Sequence, residues 1–304
     1  MDPLRFTDRV AIVTGGGSGL GRQHSLLLAS RGVAVLVNDS GGALDGTAPD
    51  PSVAQRVVDE IRKAGGVAVA DSTSVATPEG GAAIVAATRQ EFGRLDIVIN
   101  NAGILRDRTI QNVDPVDLDA VLAVHLKGAF NVTTPAFTVM REQKFGRIVS
   151  TSSSAGLFGN FGQSAYGAAK MGLIGLTHVL AVEGAKYGIL ANAIAPLAYT
   201  RMTKTLMGED GPRFDAALVA PVVAYLCSDD CTVTGEIYAV GAGRVARVFI
   251  GETPGICRTA LTPEDVRDHL SEIRDLNDYA IPANTPEESA LFAEAHLQQL
   301  LGRH

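Results

Sequence analysis

A tyrosine and a lysine lie four residues apart in the segment GQSAYGAAKMGL, residues 162–173. If the segment is helical, Tyr166 and Lys170 lie one turn apart on the same face, and their polar ends can converge. A cation beside a phenol favours the phenolate, which lowers the phenol pKa from its ordinary value of about 10. Tyr166 is then able to accept a proton from an alcohol while hydride leaves the same carbon, and Lys170 can hold a cofactor ribose.

Three serines, Ser152, Ser153 and Ser154, follow the apolar run GRIVST at residues 146–151. Alcohol oxidation needs a third group that fixes the substrate oxygen, and we predict Ser153 for this role. Tyrosines and lysines four apart occur by chance on many exposed helices, so the spacing alone is weak support. The serines strengthen the hypothesis because they lie at the carboxyl end of a predicted strand, where a bound cofactor presents its nicotinamide.

A glycine-rich turn, TGGGSGLG at residues 14–21, directly follows the apolar run RVAIV and precedes a helical pattern. Its important glycines are predicted to be Gly15, Gly19 and Gly21, a looser spacing than the GxGxxG fingerprint. Residues without side chains let the backbone approach a pyrophosphate, and a helix start supplies free N–H groups and a positive dipole end. The motif alone also fits a plain flexible turn, but the flanking strand and helix favour a dinucleotide site.

Asp39 closes the second predicted strand, 18 residues after Gly21. At this position an acid accepts hydrogen bonds from an adenosine ribose, and its carboxylate repels a 2′-phosphate. Residues 10–21 and 32–50 contain no arginine or lysine that could attract such a phosphate. The sequence therefore favours NAD over NADP, although Asp39 could instead only cap a turn in NDSGG.

These motifs are carried by alternating strands and helices. Helical periodicity covers residues 19–31, 52–64, 77–92, 114–142 and 164–187. Between these stretches lie short runs rich in β-branched residues, which predict six strands: RVAIVTGG, GVAVLVND, GVAVAD, LDIVINNAG, GRIVSTSS and GILANAIAP. The alternation predicts an α/β fold with a doubly wound parallel sheet, the Rossmann fold, whose ligands collect at the carboxyl ends of the strands.

The remaining segments suggest a simple domain organisation. Residues 1–245 are predicted to form one dinucleotide-binding domain, in which residues 40–52 are a Gly/Pro/Asp-rich loop. Residues 246–304 are predicted to form a C-terminal extension that packs on the same domain or on a partner subunit. Helical patterns in this extension begin near Pro263 and Pro286.

The composition limits the classes of partner. The 304 residues are 46% apolar, and 26 basic against 33 acidic residues give a formal net charge of −7. This balance offers nucleic acid and anionic membranes no electrostatic attraction, so we expect a small-molecule substrate, no nucleic acid and no membrane. Residues 2–9 do not resemble a signal peptide, and we expect a cytoplasmic protein. Cys227, Cys231 and Cys257 lack the spacing of a disulfide framework or a zinc site, so we interpret them as packing residues and expect no metal.

Together these motifs, with NNAG at residues 100–103 and the segment after Pro196, resemble the short-chain dehydrogenase/reductase family. In that family a serine, a tyrosine and a lysine form the catalytic set, and the serine commonly lies 13 residues before the tyrosine, as Ser153 does here. The resemblance implies the catalytic residues Ser153, Tyr166 and Lys170 with NAD as cofactor. The cofactor-binding residues that it implies are Gly15, Ser18, Gly19, Leu20, Gly21, Asp39, Ser74, Val75, Asn101, Ala102, Gly103, Tyr166, Lys170, Pro196, Tyr199 and Thr200.

A narrower resemblance covers about residues 5–245. VNDSGG, NNAGILRDRT, VHLKGAF, LFGNFGQSAY, IAPLAYTRMT and YAVGAG are similar to the (3R)-hydroxyacyl-CoA dehydrogenase units of peroxisomal multifunctional enzymes, also described as 17β-hydroxysteroid dehydrogenases of type 4. The resemblance implies an NAD-dependent enzyme that oxidises a (3R)-hydroxyacyl-CoA in fatty-acid or sterol side-chain degradation, working as a homodimer or homotetramer. A 17β-hydroxysteroid substrate is the alternative, and a non-catalytic NAD-binding scaffold is a further one. The chain ends in LGRH rather than a peroxisomal signal, in keeping with a bacterial cytoplasm.

Three positions depart from the family pattern. His125 replaces an asparagine that supports a proton path to the lysine, although the backbone carbonyl at this position can still hold a water. Thr73 replaces an aspartate that contacts adenine, and either Asp71 or backbone groups can take over that contact. Leu197 replaces the glycine after Pro196, which changes the loop around the nicotinamide.

The substrate itself is less defined by the sequence. The apolar loop from Ala195 to Met207 can cover a sterol or an acyl chain equally well. Arg106, Arg108 and Lys204 can meet the phosphates of coenzyme A or remain solvated, and solvation is the default for exposed charges. A scaffold has no need of the Tyr166 phenol, so the complete catalytic set favours an enzyme.

Overall fold

The computed structural model describes residues 4, 6, 8–204, 211 and 213–300. Within these residues one sheet contains eight strands: β1 Val10–Thr14, β2 Ala34–Asn38, β3 Ala68–Asp71, β4 Ile97–Asn100, β5 Gly146–Thr151, β6 Ile189–Pro196, β7 Ile237–Gly241 and β8 Arg244–Val248. Their order across the sheet is β3-β2-β1-β4-β5-β6-β7-β8. Strands β1, β2, β4, β5 and β6 are mostly buried, as expected for apolar runs covered on both faces, whereas β3 and β7 are only partly buried.

The sheet is parallel from β3 through β7. The chain proceeds outward from β1 to β3 and then returns to place β4 on the other side of β1. Strand order therefore reverses between β1 and β4, and the crevice at their carboxyl ends is where ligands bind in open α/β sheets. The predicted doubly wound Rossmann fold is confirmed.

Helices cover both faces of the sheet. One apolar cluster contains residues of α1, α2 and α8, and the other contains residues of α3, α5 and α7. Burying one large aliphatic side chain in such a cluster contributes about 1.5–3 kcal/mol. The helices are α1 Gly19–Ser30, α2 Ser52–Lys63, α3 Pro78–Phe92, α4 Pro115–Leu122, α5 Gly128–Gln143, α6 Ser154–Phe158, α7 Ser164–Gly184 and α8 Ala220–Cys227.

The structure adds elements that the sequence did not predict. β7 and β8 form a hairpin whose turn residues, Ala242 and Gly243, both have positive φ. β8 carries two arginines and is mostly exposed, so it lacks the apolar pattern of a buried strand. α6 has only five residues, and α8 is apolar on all sides and therefore shows no helical periodicity. The single helix predicted over 114–142 is interrupted by a π-helical turn at Ala123–Lys127.

Helix α7 and the cysteines belong to the core. Ser164–Tyr187 is long and apolar enough to cross a membrane by length and composition, but half of its most apolar window is buried in the protein. Its buried face includes Leu173 and Leu180, which pack in the cluster of α3 and α5. Cys227 and Cys231 are free and lie in the opposite cluster, as expected for packing residues, and Cys257 is half-buried.

The chain divides into two compact units, Met1–Arg247 and Val248–His304. The predicted division after residue 245 lies close to this boundary, and its packing stays a prediction. The second unit contains three helices among its described residues: α9 Pro263–Asp268, α10 Leu270–Ile273 and α11 Thr285–Leu300. α9 starts with a capping box, because the Thr262 hydroxyl accepts a hydrogen bond from Asp265 N and the Asp265 carboxylate accepts one from Thr262 N.

Candidate active site

The glycine turn between β1 and α1 depends on glycine at three positions. Gly15 and Gly19 have φ values of +61° and +51°, a conformation that side chains disfavour. Gly21 has a different reason, since a Cβ on this residue would lie 2.1 Å from the carbonyl oxygen of Gly15. The local backbone therefore requires the three glycines chosen from the sequence, and it also constrains Gly16, where a Cβ would lie 2.8 Å from the carbonyl oxygen of Val13.

Asn101 and Thr14 join this turn to the end of β4. The Asn101 side-chain amide donates to the carbonyl oxygens of Thr14 and Gly15, both at 3.1 Å. The Thr14 hydroxyl accepts hydrogen bonds from the backbone N–H groups of Asn101 and Ala102 at 3.0 and 3.1 Å. These bonds fix the glycine turn relative to the neighbouring strand end, so part of the NNAG motif has a structural use.

Asp39 closes the turn after β2 and also contacts the glycine turn. Its Oδ1 accepts a hydrogen bond from Gly41 N at 2.7 Å, which closes the NDSGG turn. Its Oδ2 accepts one from Gly17 N at 2.9 Å, which brings the carboxylate against the glycine turn. A carboxylate accepts up to four hydrogen bonds, so Asp39 keeps the capacity to accept a ribose hydroxyl.

A cleft opens beside these elements at the carboxyl ends of the strands. It is also lined by residues that sequence reasoning did not single out as cofactor contacts, including Ser40, Gly42, Arg201 and Met202. Five predicted cofactor residues are not among its lining residues: Gly21, Tyr166, Lys170, Pro196 and Tyr199. The Tyr199 ring instead packs against Gly211. The predicted cofactor residues that line the cleft are Gly15, Ser18, Gly19, Leu20, Asp39, Ser74, Val75, Asn101, Ala102, Gly103 and Thr200.

At the adenine end of the cleft, Asp71 does not lie where it could take over the adenine contact. Asp71 accepts hydrogen bonds from Asn38 Nδ2 at 2.7 Å and from Thr73 N at 2.9 Å. Its carboxylate therefore closes the turn after β3, and Asp71 is not among the lining residues. Thr73 does line the cleft, beside Ser74 and Val75. The aspartate that the family uses for adenine has no carboxylate substitute here among the described lining residues near β3.

A dinucleotide fits this cleft by the chemistry of its walls. Gly15 and Gly19 line the cleft without side chains, so a diphosphate can approach the backbone of the turn closely. Ser18 is the N-terminal cap of α1 and its side chain makes no capping bond, so first-turn N–H groups stay free for an anion. Asp39 lies at the end of β2, where a ribose is bound in folds of this class.

Ser153 lies at the N-terminus of α6, directly after β5. Its hydroxyl accepts a hydrogen bond from Ala155 N at 3.1 Å and also bonds to the Tyr166 phenol. Ser152 differs, because its buried hydroxyl donates to the carbonyl oxygen of Lys170 at 2.8 Å. Of these two serines, Ser153 is the one that reaches the phenol, as its 13-residue spacing predicts.

Tyr166 and Lys170 both lie on α7, where Lys170 is buried and Tyr166 is half-buried. Lys170 Nζ donates to the carbonyl oxygen of Thr151 at 2.5 Å and lies 5.5 Å from the centre of the Tyr166 ring. Burial lowers the pKa of Lys170 to about 7. The pKa of Tyr166 is raised, mainly by burial, and its hydrogen bond with Ser153 opposes the rise only in part.

The expected lowering of the Tyr166 pKa by Lys170 is therefore wrong. The sequence showed the spacing of the two groups but not the depth at which α7 holds them. Burial disfavours the charged form of both groups, so it keeps the phenol protonated and weakens the charge of the ammonium that would stabilise a phenolate.

His125 lies beside the phenol because of the π-helical turn Ala123–Lys127. Its ring meets the Tyr166 ring edge-on at 5.2 Å between centroids. Nε2 lies 2.8 Å from the carbonyl oxygen and 3.0 Å from the amide nitrogen of Ile104.

Burial lowers the pKa of His125 to about 3, so the ring is neutral at pH 7. Nδ1 has no hydrogen-bond partner among the described residues. Gly103 makes room for this ring, since a Cβ there would lie 2.4 Å from Cε1.

The loop after β4 is tied to the first turn of α7. Gln163 Nε2 donates to Asp107 Oδ2 at 2.8 Å, and the Ser164 hydroxyl donates to the carbonyl oxygen of Arg108 at 3.2 Å. The Asp107 charge contributes to raising the pKa of Tyr166, after the effect of burial. Sequence reasoning missed Asp107, because a single exposed aspartate in a loop carries no spacing signal.

The remaining predicted residues that the structure describes do not line the cleft. Leu197 directly follows β6 and donates its N–H to the carbonyl oxygen of Val240 at 2.8 Å. Arg106 Nη1 pairs with Asp117 at 3.3 Å, and Lys204 is exposed. The end of the predicted apolar loop, residues 205–207, lies outside the described residues.

Comparison with known proteins identifies the relatives of this chain. A family model described as short chain dehydrogenase matches residues 9–210. A Mycobacterium tuberculosis protein described as a short-chain type dehydrogenase/reductase is 48% identical over 89% of this chain and 95% of its own length. A hydroxyacyl-CoA dehydrogenase of the same organism is 39% identical over 80% of each chain.

Among solved structures, full-length peroxisomal multifunctional enzyme type 2 from Drosophila melanogaster is similar, with a TM-score of 0.80 and 39% identity. The alignment covers 96% of this chain and 50% of the fly chain. The chain therefore spans about half the length of that enzyme. The likeness concerns the half of the fly enzyme that the alignment covers.

Proposed function

The chain belongs to the short-chain dehydrogenase family, and we propose that within it the protein oxidises (3R)-hydroxyacyl-CoA to the 3-oxoacyl-CoA with NAD. It is an oxidoreductase that acts on CH–OH groups and uses a nicotinamide dinucleotide. The observation that carries the proposal is the cluster of Ser153, Tyr166 and Lys170 at the carboxyl end of β5, in which Ser153 bonds to the phenol and Lys170 is anchored on Thr151. The hydroxyacyl-CoA dehydrogenase of M. tuberculosis, at 39% identity, supports the substrate class.

In the proposed mechanism Tyr166 transfers the proton of the alcohol. Ser153 already bonds to the phenol, so a substrate hydroxyl bound between them meets a donor and an acceptor at once. When bound, the oxidised nicotinamide supplies the hydride acceptor. In ketone reduction the same phenol donates its proton, and its raised pKa suits that role at neutral pH.

Lys170 links the phenol to the rest of the site. Its ammonium is anchored on the carbonyl oxygen of Thr151, so its position does not depend on substrate. Because burial brings the pKa of Lys170 to about 7, the group can change its charge in the range where the enzyme works. We propose that Lys170 becomes protonated as Tyr166 loses its proton, which limits the net charge buried in the site.

NAD is proposed rather than NADP on the position of Asp39. The carboxylate lies against Gly17 at the end of β2, where it would accept a hydrogen bond from a free ribose hydroxyl and repel a 2′-phosphate. No basic residue is adjacent to it within residues 32–50, so nothing in that segment offsets its charge.

An apolar rim around the catalytic end supports a substrate with an aliphatic part. We define this rim as Ile110, Phe158 and Phe161, which are 81%, 74% and 91% exposed. Phe158 ends the helix that Ser153 begins, and Phe161 lies in the loop that leads to Tyr166. Large apolar side chains left this exposed mark binding surfaces, and they fit an acyl chain or a sterol. A 17β-hydroxysteroid is therefore the second candidate.

A substrate panel tests the proposal. Formation of reduced cofactor is followed with (3R)- and (3S)-3-hydroxyacyl-CoA of equal chain length and with a 17β-hydroxysteroid, each with NAD and with NADP. The account expects the highest kcat/KM for the (3R)-thioester with NAD, since discrimination between substrates resides in that ratio. A higher value for the steroid would replace the substrate assignment, and cofactor binding without turnover of either class would favour a scaffold.

A further inference from the structure

The charges along the dinucleotide cleft are few. A nicotinamide dinucleotide carries its negative charge on the diphosphate, yet the cleft walls contain only two charged side chains among the described residues. One is Asp39, which is negative and already bonded to Gly17 and Gly41. The other is Arg201, which belongs to the loop after β6 and matches no position of the glycine motif.

The loop that carries Arg201 is closed on itself above the glycine turn. The Thr203 hydroxyl accepts a hydrogen bond from Thr200 N at 2.9 Å and donates to the carbonyl oxygen of Ala198 at 2.6 Å. The Thr200 methyl group lies 3.5 Å from the position of a Cβ on Gly19. Arg201 therefore starts directly above the turn at the N-terminus of α1, which is the anion-binding end of that helix.

The opposite wall of the cleft is the loop 40–52, which is also held in place. Leu105 N donates to the carbonyl oxygen of Leu44 at 2.8 Å, and Arg106 Nε donates to that of Asp45 at 2.9 Å. Arg201 Nη2 reaches across from the first wall and donates to the carbonyl oxygen of Gly42 at 3.2 Å. The guanidinium thus bridges the mouth of the cleft between two fixed loops.

We propose that Arg201 is the cofactor clamp of this protein and binds the diphosphate of the dinucleotide across the mouth of the cleft. The inference rests on the proposed function only in taking a nicotinamide dinucleotide as the ligand. The guanidinium has five N–H donors, so it can keep the Gly42 contact with one and bind phosphate oxygens with others. A 2′-phosphate offers the same chemistry, but it would lie at Asp39, whose carboxylate repels it.

Binding of cofactor fragments tests this role without turnover. ADP-ribose, 2′-phospho-ADP-ribose and adenosine are titrated by calorimetry into the wild-type protein and into Arg201→Gln. Arg89→Gln is the matched control, because it removes the same charge from the exposed face of α3. We expect Arg201→Gln to weaken ADP-ribose roughly 10- to 100-fold, the range of a charge-assisted contact, and to leave adenosine unchanged. Salt should weaken ADP-ribose binding to wild type more than to the variant.

Each other outcome contradicts a specific part of the account. Equal ADP-ribose affinity in wild type and Arg201→Gln would overturn the clamp. A loss confined to 2′-phospho-ADP-ribose would overturn the diphosphate assignment and move Arg201 to the ribose phosphate. Equal losses for adenosine and ADP-ribose would show that the residue only shapes the loop. Failure of the wild type to bind ADP-ribose would instead refute the dinucleotide and with it the proposed function.

Discussion

The two ends of the cleft are built by different physical means. After β1 the site consists mainly of backbone, in which Gly15 and Gly21 have no room for a side chain, Gly19 has positive φ, and Asn101 fixes the turn. After β5 the site consists of side chains whose pKa values are shifted mainly by burial, above all Tyr166 and Lys170. The difference shows that shape determines binding at one end, whereas burial determines chemistry at the other.

We therefore expect substitutions at the two ends of the cleft to have different effects. A change in the glycine turn should act on packing and on dinucleotide affinity, with little dependence on pH. A change at the catalytic end should act on turnover and on its pH dependence, with a smaller effect on folding. A glycine-turn substitution that changed the pH dependence of turnover, or a catalytic-end substitution that acted mainly on folding, would contradict this distinction.

The largest effect is expected for Lys170→Met. Turnover should fall about 10²- to 10⁴-fold, the usual contribution of proton transfer, because the group coupled to Tyr166 is removed. The folded-state pKa of Lys170 lies below its unfolded value of 10.5, so stability present above pH 10.5 is lost as the pH falls toward 7. Removing the lysine should therefore not lower the melting temperature at pH 7.

Initial rates and thermal melting measure both parts of this prediction. Lys186→Met serves as the control, since Lys186 is exposed just after the same helix. A variant that loses its fold together with its activity would show that Lys170 is mainly structural.

The next effect is expected at the glycine turn. Gly21→Ala places a methyl group 2.1 Å from the Gly15 carbonyl oxygen, so the turn must shift. We expect a loss of about 1–3 kcal/mol in the free energy of unfolding, with weaker dinucleotide binding. Gly175→Ala is the matched control in helix α7, where nothing lies within 4 Å, and it should stabilise by about 0.5–1 kcal/mol. Urea titration of both variants measures the difference, and equal effects would contradict the steric argument.

The third prediction concerns the pH dependence of the free energy of unfolding. His24 on α1 and His125 near Tyr166 are buried, and burial lowers both pKa values to about 3. Their unfolded values are near 6.5, so stability present above pH 6.5 is lost as the pH falls toward 3, by up to about 1.4 kcal/mol per pH unit for each group. His24→Leu should remove one of these two contributions and leave turnover unchanged.

Urea unfolding between pH 4 and 7 tests this prediction. Both ring nitrogens of His24 lack hydrogen-bond partners among the described residues, so the leucine variant should also be more stable at pH 7. An unchanged slope below pH 6.5 would mean that His24 is already solvated in the folded protein.

The smallest effect is expected for Asp107→Asn. The substitution keeps an oxygen acceptor for Gln163 but removes the charge that raises the pKa of Tyr166. Tyr166 should then lose its proton at lower pH, so the acid limb of the kcat/KM profile for oxidation should shift to lower pH. Because Asp107 is exposed, we expect a gain of only about two- to fivefold on that limb, shrinking with salt. Gln163→Ala keeps the Asp107 charge and removes its hydrogen bond with Gln163. An equal shift of the acid limb in Gln163→Ala would show that this hydrogen bond, and not the charge, causes the effect.

Much of the fold could be predicted from the sequence because its signals are local. Apolar runs identified β1 to β6, and positive φ or close backbone approach explains why Gly15, Gly19 and Gly21 stood out. The hairpin strand β8 could not be predicted, since it is mostly exposed and lacks the apolar pattern of a buried strand.

The candidate site was predictable in position but not in electrostatics. The spacing of Ser153, Tyr166 and Lys170 identified the cluster, because helical geometry is fixed by sequence separation. The pKa values depend on how deeply the whole fold buries these groups, and no local pattern encodes that depth. Arg201 and Asp107 were missed for a related reason, since each reaches the site through contacts with a distant segment.

In the proposed reaction the Tyr166 phenol transfers the substrate proton, whereas other residues hold the dinucleotide. Tyr166→Phe removes only the hydroxyl, so its dinucleotide dissociation constant and turnover can be measured side by side. The account predicts unchanged affinity for the dinucleotide and a fall in kcat of about 10³-fold or more. Near wild-type turnover in this variant would contradict it.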